Sequence, residues 1–493
     1  MQCGLRAGRL AIQNSGHRTT FDPREKRWCV GRTRGEFCAG TISKSSFPSK
    51  PSGYRIVCNR SPKMQLQMKL PPLALSVDFH KKVSMFQQQL AFAAHALAAS
   101  NLAACEIVCR DIISVAPKNS TALNFLGVIA AKVGANDHSA AYFEAALSAE
   151  PNNEGIRRNL SVLKNAPRHQ GNENPPNRYM VIKSWGYGFW SDVSQVLGSL
   201  LLAEITDRIP VTHWGKNSLF SDGSNRDAFE LYFESVSNVA LQDVARIDGA
   251  TFFPPKWNKA NLADEDIAKW HGSGSRAAAL YFLNRPETIA IIDFYIGVID
   301  VAPWIPAAHP MHEKPLDEVY RYLVRKYLCP HMATHSACET FYRAHLEGTP
   351  FVAIHMRGSD KIIEDQNLHD TNRAFLTALE SVNPIWRIFF LTDDEQLHTR
   401  IKTIYGDRII TTNCQRTNTS TGVHYLPSVN RVQAGLEVMT DVYLALRANQ
   451  FIGNGRSAVS AMIAIMKEWK RDDCTVIGRS ALLERNLFIH TRQ

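Results

Sequence analysis

The sequence predicts an α/β protein with two Rossmann-like halves, preceded by an all-α helical repeat. Three observations carry this reading. Residues 86–165 are Ala-rich with helical periodicity, and Pro117 and Pro151 stand 34 residues apart, each opening a Pro-x-Asn step. Apolar runs of strand length alternate with helical periods from residue 179 onward. Polar residues gather at the carboxyl ends of those runs, where doubly wound parallel sheets hold their ligands.

The composition is that of a soluble globular chain of 493 residues, 45% hydrophobic and 21% charged. The length allows about three domains. No run of 18 apolar residues occurs, which argues against a membrane span. The net charge of +10 is local: residues 1–70 hold 14 basic and 3 acidic residues, and the rest of the chain holds 42 and 43. The body of the chain lacks the basic footprint of a nucleic-acid domain.

Residues 1–78 form a basic leader with no apolar core of the secretory kind. A disordered tail is the favoured expectation, an organelle address the alternative. Met64, Met68 and Met85 are potential later starts. Ten scattered cysteines suit a reducing, cytoplasmic compartment better than a disulfide framework. Cys329, His331, His335 and Cys338 have ligand chemistry for zinc, but the short, Pro-interrupted segment favours packing at a helix end.

Residues 79–165 have the tetratricopeptide period, with Leu126, Gly127, Phe143, Ala146 and Pro151 at its spacing. About two units are legible, with a further helix at 154–164. Such repeats bind protein partners or build assemblies, and two units need a neighbour to cover them. Residues 166–178 form a Pro/Asn-rich linker.

Residues 179–347 make the first α/β half. Tyr179–Ser184 is a strand, Gly186-Tyr187-Gly188 a tight turn, 191–206 a helix and Ile209–His213 the next strand. FYIGVIDVAPW (294–304) reads as a strand and loop, and 315–328 and 336–346 as helices. Residues 348–493 make the second half. Its strands are FVAIHM (351–356), RIFFL (387–391), 408–412, QFI (450–452) and CTVI (474–477), with helices at 430–447 and from about 457. Strand ends place His355 with Arg357, Asp393 with Asp394, and Asn454 to Ser457 where a ligand would sit.

IHMRGSDK (354–361), FFLTDD (389–394) and DVYLALRANQFIGNGRSAVSAM (441–462) form an ordered triplet that resembles the α-1,6-fucosyltransferase family, including the nodulation enzymes. More distantly it resembles the protein O-fucosyltransferases. The resemblance spans about residues 179–480 and is sharp over 350–465. It implies a GT-B fold, with an acceptor half (179–347) and a nucleotide-sugar half (348–493). It also implies metal-independent, inverting transfer of fucose from GDP-fucose to a glycan or protein hydroxyl.

By the resemblance, Arg357 neutralises the β-phosphate, as a bidentate guanidinium suits a departing diphosphate. Its alternative is an ion pair. His355 lies near the guanine, or is a satisfied core histidine. Asp441 accepts from guanine N1–H and N2–H, and Ser457 faces the phosphates at a helix N-terminus. Lys361 and Asp365 match a family lysine and an acid that orients or deprotonates the acceptor, with Glu364 a rival. Asp360 and Asp393 match motif positions and also suit structural roles at strand ends. The family's second arginine is Gly358 here, Asp441 stands one residue off the family spacing, and no room remains for a terminal SH3-like domain. A non-catalytic repeat scaffold with a degenerate transferase domain is therefore the competing class.

Overall fold

The computed structural model describes residues 54–56, 66–68, 79–165, 177–216, 218–264, 278–360, 368–470, 472–478 and 480–483. The chain divides into two units, Met1–Leu75 and Ser76–Gln493. In the first, β1 (Tyr54–Ile56) and β2 (Leu66–Met68) pair antiparallel. The rest of residues 1–78, the expected disordered basic leader, lies outside the described residues. The second unit is mixed α/β and rich in helix.

The second unit opens with α1 (Phe79–Ala98), α2 (Leu102–Val115), α3 (Ser120–Lys132), α4 (Asn136–Ala149) and α5 (Glu154–Asn165), each packed on the next. The sequence period has a local cause. Asn119 Oδ1 accepts from Ala122 N at 2.9 Å and Asn153 Oδ1 from Ile156 N at 3.2 Å, so the Pro-x-Asn steps are N-caps of α3 and α5. Gly127 leaves room for the Phe143 ring, since a Cβ there would lie 2.5 Å from it. The apolar core of α1–α4 is closed from outside by Leu280 and Trp304. Trp304 is buried, and the Arg110 guanidinium lies over its ring at 4.9 Å. The helices therefore share a core with the α/β region that follows.

That region holds two parallel sheets. In the first, β3 (Tyr179–Lys183), β4 (Ile209–His213), β5 (Phe252–Phe253) and β6 (Ile289–Ile292) are ordered β4-β3-β6-β5. The βαβ unit appears as expected, with α6 (Phe189–Ile205) as its crossover. The strand expected within 294–304 lies upstream instead: the fully buried run of β6 ends before Asp293, and Val298–Val301 is helical. In the second sheet, β7 (Phe351–His355), β8 (Arg387–Leu391), β9 (Ile409–Ile410), β10 (Gln450–Asn454) and β11 (Cys474–Ile477) are ordered β11-β10-β7-β8-β9. Strand β10 runs two residues further than expected, through Gly453 and Asn454.

The helix Leu316–Tyr327 packs on both α6 and Ala458–Met466, so it ties the halves together. Met332–His345 packs on Arg431–Ala445. One apolar core, from Met180 to Leu482, runs through both sheets. No helix among the described residues is long and apolar enough to cross a membrane.

Candidate active site

A cleft of about 470 Å³ opens where the two halves meet. The first half contributes Tyr187 to Ser191, from the turn after β3. The second contributes His355 and Arg357 after β7, Thr392 and Asp393 after β8, Asp441, and Arg456 to Val459 after β10. All of the strand-end groups come from carboxyl ends, because every pairing in both sheets is parallel.

The turn after β3 is held by one carboxylate. Asp192, fully buried in the first turn of α6, accepts from Gly186 N and Tyr187 N, each at 3.0 Å. Gly186 has φ +93°, a conformation that favours glycine, so GYG here is a turn requirement.

His355, Arg357, Asp393, Asp441 and Ser457 all line this cleft. Lys361 and Asp365, with Glu364, lie outside the described residues. His355 is buried, and its Nδ1 meets Ser460 Oγ at 2.7 Å. Ser460 Oγ also accepts from Asn454 N at 3.0 Å, so one hydroxyl ties His355 to the end of the neighbouring strand. Burial, and then the charge of Arg357, push this histidine down to about 3. It is neutral at physiological pH.

Asp441 is buried on the helix Arg431–Ala445 and accepts from Thr412 Oγ1 at 2.6 Å. Burial raises its carboxyl to about 6, against the pull of the Thr412 hydroxyl and Arg416. Ser457 is the N-cap residue of Ala458–Met466, yet its hydroxyl makes no cap bond. The amides of Ala458, Val459 and Ser460 meet no protein acceptor among the described residues. An unpaired first turn of this kind is a ready anion seat.

Arg357 differs from the open diphosphate fork expected of it. Its Nη1 pairs with Asp393 and its Nη2 with Asp360 at 2.7 Å. Asp393 also accepts from the Ser359 hydroxyl and from Gly358 N at 3.2 Å. Ser359 stands at φ +46°, in the left-handed region, with its hydroxyl on Asp360 at 2.9 Å as well. Arg357 and Asp393 are thus paired with each other at the mouth of the strand ends.

The departure at Gly358 has a steric cause. A Cβ at 358 would lie 2.4 Å from Cβ and Oδ2 of Asp394. Asp394 cannot swing away freely, because its Oδ1 caps the helix Glu395–Tyr405 through Gln396 N at 2.8 Å and Leu397 N at 2.9 Å. Any side chain at 358 requires Asp394 or the local backbone to shift.

Sequence reasoning placed 454–457 at the ligand end without singling out Arg456, which lines the cleft beside Ser457. Its place in the β10-to-helix loop, at a strand carboxyl end, was the available signal. The 423–425 turn was missed too; His424 and Tyr425 rim the cleft with ring centroids 4.2 Å apart. The suspected zinc ligands do not converge. His331 binds Glu234 Oε1 and Glu230 O, Cys338 is buried beside Thr440 O, and no group of three His, Cys, Asp or Glu among the described residues is placed to hold a metal.

Fold and cleft define a two-sheet α/β protein with a polar ligand cleft between its halves. No protein-family model matches the chain, and no curated protein does. Solved structures similar to it include NodZ α-1,6-fucosyltransferase soaked with GDP-fucose, at 16% identity and TM-score 0.40, covering 59% of this chain and 93% of that one. FUT1 from Arabidopsis thaliana with GDP is similar at 13% identity and TM-score 0.39, covering 67% and 76%. POFUT1 with GDP-fucose is similar at 14% identity and TM-score 0.38, covering 62% and 99%.

Proposed function

We propose that the protein is a GT-B glycosyltransferase that moves fucose from GDP-fucose to a hydroxyl of a glycan or protein, with inversion and without a metal. The observation that supports this most is the convergence of the three sequence motifs on one cleft: His355 and Arg357, Asp393, and Asp441 with Ser457 come from separate strands and line the same space. In this reading the guanine lies on Asp441, near the His355 ring, and the diphosphate lies on the first turn of Ala458–Met466. The acceptor enters from the Tyr187 side. A carboxylate, Asp365 or Glu364, takes the proton of the acceptor hydroxyl; the oxygen forms its bond to the sugar C1 as the C1–O bond to GDP breaks. The growing charge on the diphosphate is met by fixed N–H dipoles and guanidinium charge, which act without rearrangement during the reaction.

The helical module belongs to this reading as a tetratricopeptide-type element that holds a protein partner or acceptor. Its support is the repeated Asn cap, 34 residues apart, and the Gly127–Phe143 contact. The competing reading, a scaffold with a degenerate site, is favoured by the two carboxylates already on Arg357. Single-turnover release of GDP from GDP-fucose, with and without glycan and peptide acceptors, separates them. Release above the uncatalysed rate supports the enzyme; tight GDP-fucose binding with no release under any acceptor supports the scaffold.

A further inference from the structure

We propose that Glu437 reads the ribose of a guanosine nucleotide in this cleft, by accepting the hydrogen bond of its 2′-hydroxyl. The inference rests on the donor reading above and adds a specificity residue to it.

Glu437 and Asp441 stand one turn apart on the helix Arg431–Ala445, and both line the cleft, with Val438 between them. Side chains at this i, i+4 spacing share one face, with Cβ atoms about 5–6 Å apart. Asp441 feels its neighbour: burial raises its carboxyl, and the charge of Glu437 pushes the same way. A wall with two carboxylates in a row repels phosphate and suits groups that donate hydrogen bonds. In GDP those groups belong to the nucleoside: guanine N1–H and N2–H, and the ribose hydroxyls.

Glu437 is held in place before any ligand arrives. Its Oε2 accepts from Gln415 N at 2.9 Å, and its Oε1 from the exposed Gln433 side-chain amide at 3.2 Å. Thr412 Oγ1 is bound to Asp441 in the same way, so the 412–415 segment is pinned to the helix at both ends by the two acids. An ionised carboxylate has about four lone-pair sites, so Glu437 keeps capacity to accept beside these two donors.

The shape of the nucleoside selects the hydroxyl. Guanine N2 and the ribose 2′-hydroxyl lie along one edge, the edge that a nucleic-acid helix shows in its minor groove. With Asp441 on N1–H and N2–H, the 2′-hydroxyl comes next along the helix face. One turn in one direction is Glu437; one turn in the other is Ala445, which is buried in the core and has no acceptor to offer. The helix therefore presents an acid on one side of Asp441 only.

The test is calorimetry of the full chain in EDTA with GDP beside 2′-deoxy-GDP. Wild type is expected to bind GDP about tenfold tighter or more, the worth of a hydrogen bond to a charged group. Glu437→Ala should lose that preference and bind the two nucleotides within about twofold of each other, through a loss of GDP affinity. Glu437→Gln keeps an oxygen for Gln415 N and should keep part of the preference, because a neutral acceptor is weaker than a carboxylate. An equal loss for both nucleotides in Glu437→Ala, with the preference intact, makes the residue a loop anchor and overturns the assignment. A wild type that binds GDP and 2′-deoxy-GDP alike also overturns it and leaves the donor reading standing. Failure of wild type to bind GDP overturns the donor reading, and this assignment with it.

Discussion

Gly358→Ala is the sharpest structural perturbation of the site. The added methyl would lie 2.4 Å from two Asp394 side-chain atoms and 2.8 Å from a third. Contacts below 3 Å cannot stand, so either Asp394 or the 357–359 backbone must move. Moving Asp394 forfeits the cap it places on Gln396 N and Leu397 N, which is worth about 1 kcal/mol. Overpacking of this kind costs a further ~1–3 kcal/mol. The sum predicts a loss of roughly 2–4 kcal/mol, read as a lower urea midpoint at unchanged m-value. The control is Gly358→Ala combined with Asp394→Gly, because alanine at 394 would keep the Cβ that lies 2.4 Å from the added methyl. With glycine at 394 the clash is gone and only the cap is missing, so the double variant should be more stable than Gly358→Ala alone and stand about 1 kcal/mol below wild type. Wild-type stability in Gly358→Ala, or a double variant worse than the sum of both single ones, would refute the steric account of this position.

Asp441 predicts opposite pH trends for folding and for binding. Its folded value of about 6 exceeds the ordinary 3.8, so the stabilising contribution is complete below about pH 4 and is lost as pH rises through 6, about 3 kcal/mol in all. Asp441→Asn should therefore raise the urea midpoint at pH 7.5 and leave it little changed at pH 4. GDP affinity of wild type should instead fall as pH drops below 6, because a protonated carboxyl accepts poorly from guanine N1–H and N2–H; a flat GDP profile between pH 5 and 7.5 would remove Asp441 from the base-reading role. Trp304→Ala empties a fully buried site in the core of the helical module and should cost about 3–5 kcal/mol. By the same packing, residues 79–170 alone should lack a cooperative melt, which circular dichroism would show.

The order of elements was legible where periodicity was unmixed. YMVIKS, its glycine turn and the following helix gave the first βαβ unit, and the Asn caps gave the helical module its period. The misread lay at 289–304, where IAII carries the sheet and the aromatic-rich run after it only resembles a strand. Single-sequence patterning sees apolar run length, and both segments have it. The site was legible as a set of strand ends: five of the seven named residues line one cleft, and Lys361 and Asp365 lie outside the described residues. What the sequence could not convey was who pairs with whom. Asp393 reaches Arg357 from the adjacent strand end, 36 positions along the chain, and Asp394 blocks position 358 through a helix cap.

The central claim is that the cleft is a GDP-sugar site built from the second half. Calorimetric titration of the full chain with GDP in EDTA, beside UDP and ADP, tests it most directly. The account predicts saturable GDP binding without added metal, at least tenfold tighter than UDP or ADP, and weakened by Ser457→Ala and Asp441→Asn. Absence of GDP binding, equal binding of all three nucleotides, or a strict requirement for Mn²⁺ would contradict it.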